Sequence, residues 1–201
     1  QTSDGGYIIT GKINSTNAIS DADIFLIKTD VNGNDQWTKT FNGAYNTNTG
    51  NFGPDFGNAV QQTSDGGYII TGFIETYIPL VARELCLIKT DLNGDSLWGK
   101  TFGGTASDVG NSVQQTSDGG YIIAGYTESF GNGGRDVYLI KTNGNGDSLW
   151  TKTFGGTSDD LGSSIQQTTD GGYIISGYTE SFGNGGRDVY LIKTNGNGDS
   201  L

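Results

Sequence analysis

The chain has 201 residues, of which 33% are hydrophobic, 11% aromatic and 35 are glycine, too much glycine for a helical protein of this length and too many aromatics at fixed places for a disordered tract. Acidic residues outnumber basic ones 22 to 11, and the net charge of −11 disfavours nucleic acid and anionic membrane surfaces as partners. With no His, a single Cys and no run approaching ~20 apolar residues, the sequence offers no imidazole chemistry, no internal disulfide and no helical membrane span.

The chain opens on Gln1-Thr2-Ser3-Asp4-Gly5-Gly6-Tyr7-Ile8-Ile9, and the phrase Asp-Gly-Gly-Tyr-Ile-Ile returns at Asp65, Asp118 and Asp170. Counted from the Gln-Thr before each copy, units begin at Gln1, Gln62, Gln115 and Gln167, so the later units recur about every 52 residues. A period of this size marks a solenoid or a propeller. Each phrase follows a short polar segment and precedes β-branched and aromatic residues, so Asp-Gly-Gly reads as the turn of a β-hairpin, its carboxylate satisfying N–H groups of that turn.

In the first two units, Asp30-x-Asn32-Gly33-Asn34-Asp35 and Asp91-x-Asn93-Gly94-Asp95 place oxygen-bearing side chains at alternate positions, as Ca²⁺ loops do. The downstream Glu of an EF-hand is absent, Asn143 and Asn195 replace the first Asp in the later units, and Asn-Gly is ordinary hairpin chemistry. They read first as turns, with Ca²⁺ as the alternative and no other cofactor expected. Asn14-Ser15-Thr16 is a formal glycosylation sequon, and a polar loop from Asn42 to Pro54 lengthens the passage into the second unit. There, Tyr77-Ile78-Pro79-Leu80-Val81-Ala82-Arg83 is an apolar loop, either packed on a neighbour or touching a partner. Cys86 stands where the third unit has Tyr138 and reads as a small buried hydrophobe.

The third unit gives the strand count. Ser112 to Thr116 precedes the Asp-Gly-Gly turn and Tyr121 to Ser129 follows it; Asp136 to Thr142 is apolar throughout and reads as covered on both faces. After an Asn-Gly-Asn-Gly-Asp turn, Leu149 to Phe154 alternates, with Trp150 and Phe154 on one face and Lys152 between them. Four antiparallel strands per unit, with tight turns after the first and third and longer loops after the second and fourth, describe an all-β propeller blade. The phrase Leu-Trp-Thr-Lys-Thr-Phe-Gly-Gly, followed by Gln-Gln-Thr-Ser-Asp-Gly-Gly-Tyr-Ile-Ile-Ala-Gly-Tyr-Thr, resembles propeller repeats of secreted and surface proteins in bacteria and archaea. The strand order is similar to WD40 and kelch-type blades, without the Gly-His and Trp-Asp dipeptides of the former. Thr63-x-Asp65-x-Gly67 also partly matches the Asp-box of sialidase-type propellers, with Ile70 where that motif has an aromatic.

The first and last blades read as incomplete, which favours a segment of a longer ring; the alternative is ends that meet in a four-bladed ring or by self-association. Alternating turns place both longer loops at one end of every blade, the end expected to bind. It carries Arg83, Arg135 and Arg187, Asp108, Asp159 and Asp160, with Phe130, Phe182, Tyr126 and Tyr178 nearby. The Arg135-Asp136 and Arg187-Asp188 pairs either bind an anionic group or brace their loops. Carboxylates such as Asp160 recur as Asp108, whereas a catalytic residue in a fold built of copies is singular, so no enzyme is expected. The resemblance and the Thr/Asn/Gly-rich loops imply an extracellular or cell-surface module, structural, adhesive or protein-binding. Carbohydrate binding, to a cell-surface glycan stacked on the loop aromatics, is the alternative.

Overall fold

The computed structural model describes residues 1–14, 22–41, 53–76 and 82–201. The sequon at Asn14-Ser15-Thr16, most of the lengthened polar loop and the apolar stretch from Tyr77 to Val81 fall largely outside these residues. Fourteen strands follow one another with no helix among the described residues: β1 (Tyr7–Asn14), β2 (Ala22–Thr29), β3 (Asp35–Phe41), β4 (Phe56–Gln62), β5 (Tyr68–Thr76), β6 (Ala82–Thr90), β7 (Ser96–Phe102), β8 (Asp108–Gln115), β9 (Tyr121–Thr127), β10 (Asp136–Thr142), β11 (Ser148–Phe154), β12 (Asp160–Gln167), β13 (Tyr173–Thr179) and β14 (Asp188–Thr194). They form four antiparallel sheets with strands in chain order, β1 to β3, β4 to β7, β8 to β11 and β12 to β14. Each sheet is one repeat, its first strand, where present, ending at the Gln from which that unit is counted.

The Asp-Gly-Gly turn forms because each residue type meets a separate demand. In the third unit the Thr116 carbonyl accepts from Gly119 N at 2.9 Å, and Thr116 N donates to the Gly120 carbonyl at 2.9 Å. Gly119 has φ +81°, a conformation a side chain disfavours. Gly120 is needed for another reason: a Cβ there would collide with the Thr142 carbonyl and the Lys141 ammonium. Asp118 Oδ1 closes the turn by accepting from the Thr116 hydroxyl at 2.5 Å and from Gly120 N at 3.0 Å.

The first strand begins at Asp108, earlier than the alternation of Ser112 to Thr116 indicates. A bulge between Gly110 and Ser112 breaks the period and leaves Asn111 unpaired in the ladder. The bulge has a use, since Asn111 Nδ2 donates to the Gly162 carbonyl of the next unit at 2.9 Å, as Asn58 does to Gly110.

The core lies between sheets. Ile69, Leu85 and Leu87 of the second unit bury against Val113, Tyr121, Ile123, Tyr138 and Ile140 of the third, and the other neighbours meet in the same way. Strand β10 is buried along its whole length, as its apolar sequence requires. Trp98 on β7 crosses to Tyr121 of the next unit edge-on, with ring centroids 5.9 Å apart, and Trp37 and Trp150 repeat this on Tyr68 and Tyr173. Lys39, Lys100 and Lys152 reach Asp95, Asp147 and Asp199 of the following unit at 2.6, 3.0 and 2.9 Å. The fourth strand thus faces forward, with its Trp, Lys and Phe half-buried on one side and its Thr residues exposed.

Candidate functional site

The loops after the second and fourth strands converge at one end of the sheets. The Glu128 N–H donates to the Ser107 carbonyl at 2.8 Å and Ala106 N to the Ser129 hydroxyl at 3.0 Å, joining the loop after β9 to the loop before β8. The loop after β9 also reaches forward, where Arg135 N donates to Asp159 Oδ1 at 3.0 Å and the Asp160 N–H to the Arg135 carbonyl at 2.6 Å.

Three arginines repeat one arrangement on this end. Arg135 Nε donates to Glu128 Oε1 at 2.9 Å while its guanidinium lies 4.6 Å from the centre of the Tyr126 ring. Arg187 does the same with Glu180 and Tyr178, and Arg83 with Glu75, at a looser 3.8 Å, and Phe73. The Glu128 bond raises the Arg135 pKa further, fixing its charge. The pairing braces each loop, and the Arg83, Arg135 and Arg187 side chains stay partly exposed to solvent. A shallow cavity of about 360 Å³ lies here, lined by Ala106, Glu128, Gly133, Gly134, Arg135 and Asp159.

The remaining expected residues separate into accessible and inaccessible groups. Phe130 and Phe182 are half exposed and tilt against Tyr138 and Tyr190 at 5.7 and 5.8 Å. Tyr126 is buried beneath Arg135 and offers no open face. Asp108 and Asp160 are not on the surface: both are fully buried at the starts of β8 and β12. Their Oδ2 atoms accept from the Ser129 and Ser181 hydroxyls at 2.6 Å and from Gly104 N and Gly156 N. Each fastens a long loop to the sheet from inside. Asp136 is buried beside Asp160, and burial followed by that neighbouring charge raises its pKa.

Asp30, Asn32, Asp91, Asn93 and Asp95 lie at the opposite end, in the turns after the third strands. Asp30 Oδ1 accepts from Asn32 N and Asn34 N at 2.8 and 2.9 Å, and its Oδ2 accepts from the Asn34 amide. Asp91 makes the equivalent backbone bonds to Asn93 and Asp95, and Asp95 is engaged by Lys39. Asn143 performs the same turn closure with a neutral amide oxygen. Among the described residues no three His, Cys, Asp or Glu side chains are placed to hold a metal ion. A second cavity of about 310 Å³ at this end includes Asp4 and Lys28, which pair with each other at 2.8 Å.

Local pattern missed two sets of residues. One is the glutamates Glu75, Glu128 and Glu180; the other is a lysine buried in the third strand, Lys28, Lys89 or Lys141, which ties that strand to the Asp of the Asp-Gly-Gly turn. Their signal was positional, since Ile-Lys-Thr stands at the same place in all four units. Cys86 is buried, and burial pushes its thiol up to about 12, which leaves it unreactive.

No family model and no curated protein matches the sequence. Among solved structures, the chain is similar to a crystal structure of a protein of unknown function from Bacteroides caccae, with a TM-score of 0.53 and 14% identity over 96% of this chain. The chain spans 56% of the length of that protein. The likeness speaks to the fold alone.

Proposed function

We propose that the four sheets are blades of a β-propeller and that the protein is a non-enzymatic extracellular or cell-surface module, structural or adhesive, which engages protein partners through its long-loop end. The propeller reading is supported by how neighbouring first strands approach: Gln115 N donates to Gln61 Oε1 and Gln167 N to Gln114 Oε1, both at 2.6 Å, as inner strands around an axis would. The observation carrying the functional reading is the recurrence of the Arg-Glu-aromatic group at Arg83, Arg135 and Arg187. Repeated weak sites on one surface give avidity, whereas a reaction centre needs one singular constellation.

The test is adhesion of cells and of extracellular matrix proteins to the immobilised chain. Binding is expected, with loss in the double variant Arg135→Glu and Arg187→Glu; equal adhesion by this variant rejects the loop end as the contact surface. A second reading, carbohydrate binding, is favoured by the half-exposed rings of Phe130 and Phe182 beside polar Arg-Glu pairs. Glycan-array binding that disappears in Phe130→Ala with Phe182→Ala selects it; no binding to any glycan removes it.

A further inference from the structure

We infer that the junctions between the second and third units and between the third and fourth each bind a hard divalent cation, Ca²⁺ foremost, between a carboxylate of one unit and a carboxylate of the next. The pairs are Glu84 on β6 with Asp108 on β8, and Asp136 on β10 with Asp160 on β12. Both junctions are internal to the chain. They lie at the long-loop end, opposite the Asp30 and Asp91 turns.

A Cβ on Gly103 would collide at once with Glu84 Oε2 and Asp108 Oδ2, and one on Gly155 with Asp136 Oδ1 and Asp160 Oδ2. The two carboxylates of each pair therefore face one small space from adjoining units. Neither glycine has a left-handed φ, so it is that space, and not the backbone, that requires glycine. Asp108 and Asp160 are fully buried, and the Oδ1 atom of each has no hydrogen-bond partner. Asp136 is buried as well, and Glu84 is half-buried. Every ion pair among the described residues goes to other carboxylates. Two acids thus meet out of water with no basic side chain between them, which is unfavourable unless a positive charge joins them.

Fastening the loops does not account for the charge. Asp108 Oδ2 and Asp160 Oδ2 accept from a Ser hydroxyl and a Gly N–H, and an amide oxygen accepts such bonds too, as Asn143 and Asn195 do where they replace Asp30 and Asp91. At the junction positions no copy makes that exchange. The third strand carries Asp23, Glu84, Asp136 or Asp188, and the first strand begins at or beside Asp55, Asp108 or Asp160. Between Asp23 and Glu84 the side-chain length changes and the charge stays. Oxygen donors alone suit a hard cation, and two carboxylates balance one divalent ion. With two acids rather than three at each junction, backbone carbonyls and water complete the shell, as Ca²⁺ accepts. In the first unit Asn42 stands where Gly103 and Gly155 do, so the inference is confined to the later junctions.

Isothermal titration calorimetry of CaCl₂ into the chelator-stripped 201-residue chain tests this, together with thermal melts in Ca²⁺ and in EDTA. Two ions per chain are expected to bind, and Ca²⁺ at about 100 times its Kd should raise Tm by at least ~5 °C. Asp108→Asn and Asp160→Asn keep an oxygen for the loop bonds; each should bind one ion and the double variant none. Should the double variant fail to fold, Glu84→Gln with Asp136→Asn removes the same sites from the other side. Asp91→Asn, at the opposite end, should bind as the wild type does. No heat of binding and a Tm equal in Ca²⁺ and EDTA mean that each pair shares a proton instead, and overturn the inference. Binding that survives the double variant, or disappears in Asp91→Asn, overturns it too. Adhesion is not read by these measurements, so this inference and the functional proposal fail independently.

Discussion

The Lys141 ammonium lies 2.9 Å from Asp118 Oδ2 and donates as well to the Thr142 carbonyl at 2.9 Å, pinning the third strand of the unit to the turn between its first two. The lysine is buried and the aspartate more than half exposed, so the two ends are unequal. Asp118→Ala leaves a buried ammonium without its counter-charge and is expected to cost about 2 kcal/mol, whereas Lys141→Met leaves a carboxylate that water can solvate and costs less. Urea unfolding of both variants measures the difference; a larger loss for Lys141→Met contradicts the asymmetry.

Stability is expected to have a maximum on the acid side of neutrality. Burial pushes Asp65 and Asp118 up, but bonds from a Thr hydroxyl, a Lys ammonium and a Gly N–H outweigh it and hold both down to about 2. Their contribution is present above the ordinary value of 3.8 and is lost as pH falls from there towards 2. Glu84 moves the other way, raised by burial and then by Asp108, so folding is penalised as pH climbs through its folded-state pKa. Melting temperature should therefore rise slightly from pH 7 towards about 5 and drop below about 4. Glu84→Gln should raise Tm at pH 7, because the amide is buried without a charge and faces Asp108 without repulsion. A Tm unchanged from wild type at pH 7 removes the argument from burial and repulsion.

Two glycines in the second unit should respond in opposite directions. A side chain at Gly67 collides with the Thr90 carbonyl, so Gly67→Val is expected to prevent normal folding. At Gly99, paired with Ile88 in β7, a Cβ meets nothing within 4 Å, and the first and third units have Thr38 and Thr151 at this place. Gly99→Thr should stabilise by about 0.5–1 kcal/mol through lower chain entropy and better strand propensity. Thermal melts of the two variants check both signs.

Trp98 joins two sheets, meeting Tyr121 edge-on and covering Gly146, where a Cβ would press into the indole. Trp98→Ala is expected to cost about 2 kcal/mol, below a fully buried tryptophan because the ring is half-buried. It should also broaden the unfolding transition by weakening the coupling between second and third units. Calorimetry showing a single sharp transition at the wild-type temperature would count against that coupling.

The strands and tight turns are legible in the sequence because each depends on neighbours a few residues apart. Asp118, Gly119 and Gly120 form one local turn, and the Val137 to Ile140 run reports its own burial. The long-loop end is less legible because its partners are chosen across the sheet. Nothing near Asp108 signals that it turns inward to Ser129, and at the opposite end Lys141 likewise finds Asp118 23 residues away. Arg135 was visible as a candidate, but its Glu128 partner, seven residues earlier, belongs to the far side of a loop whose closure only the fold defines.

The bond from Gln115 N to Gln61 Oε1, and that from Ser64 N back to Gln115 Oε1, link each unit to the next through backbone amides. Because the same residues form the same link at Gln167, a newly duplicated unit arrives already fitted to both its neighbours. Copy number can then change by whole units in one genetic step without any compensating substitution, and the near-identity of the last two units is what such a step leaves behind.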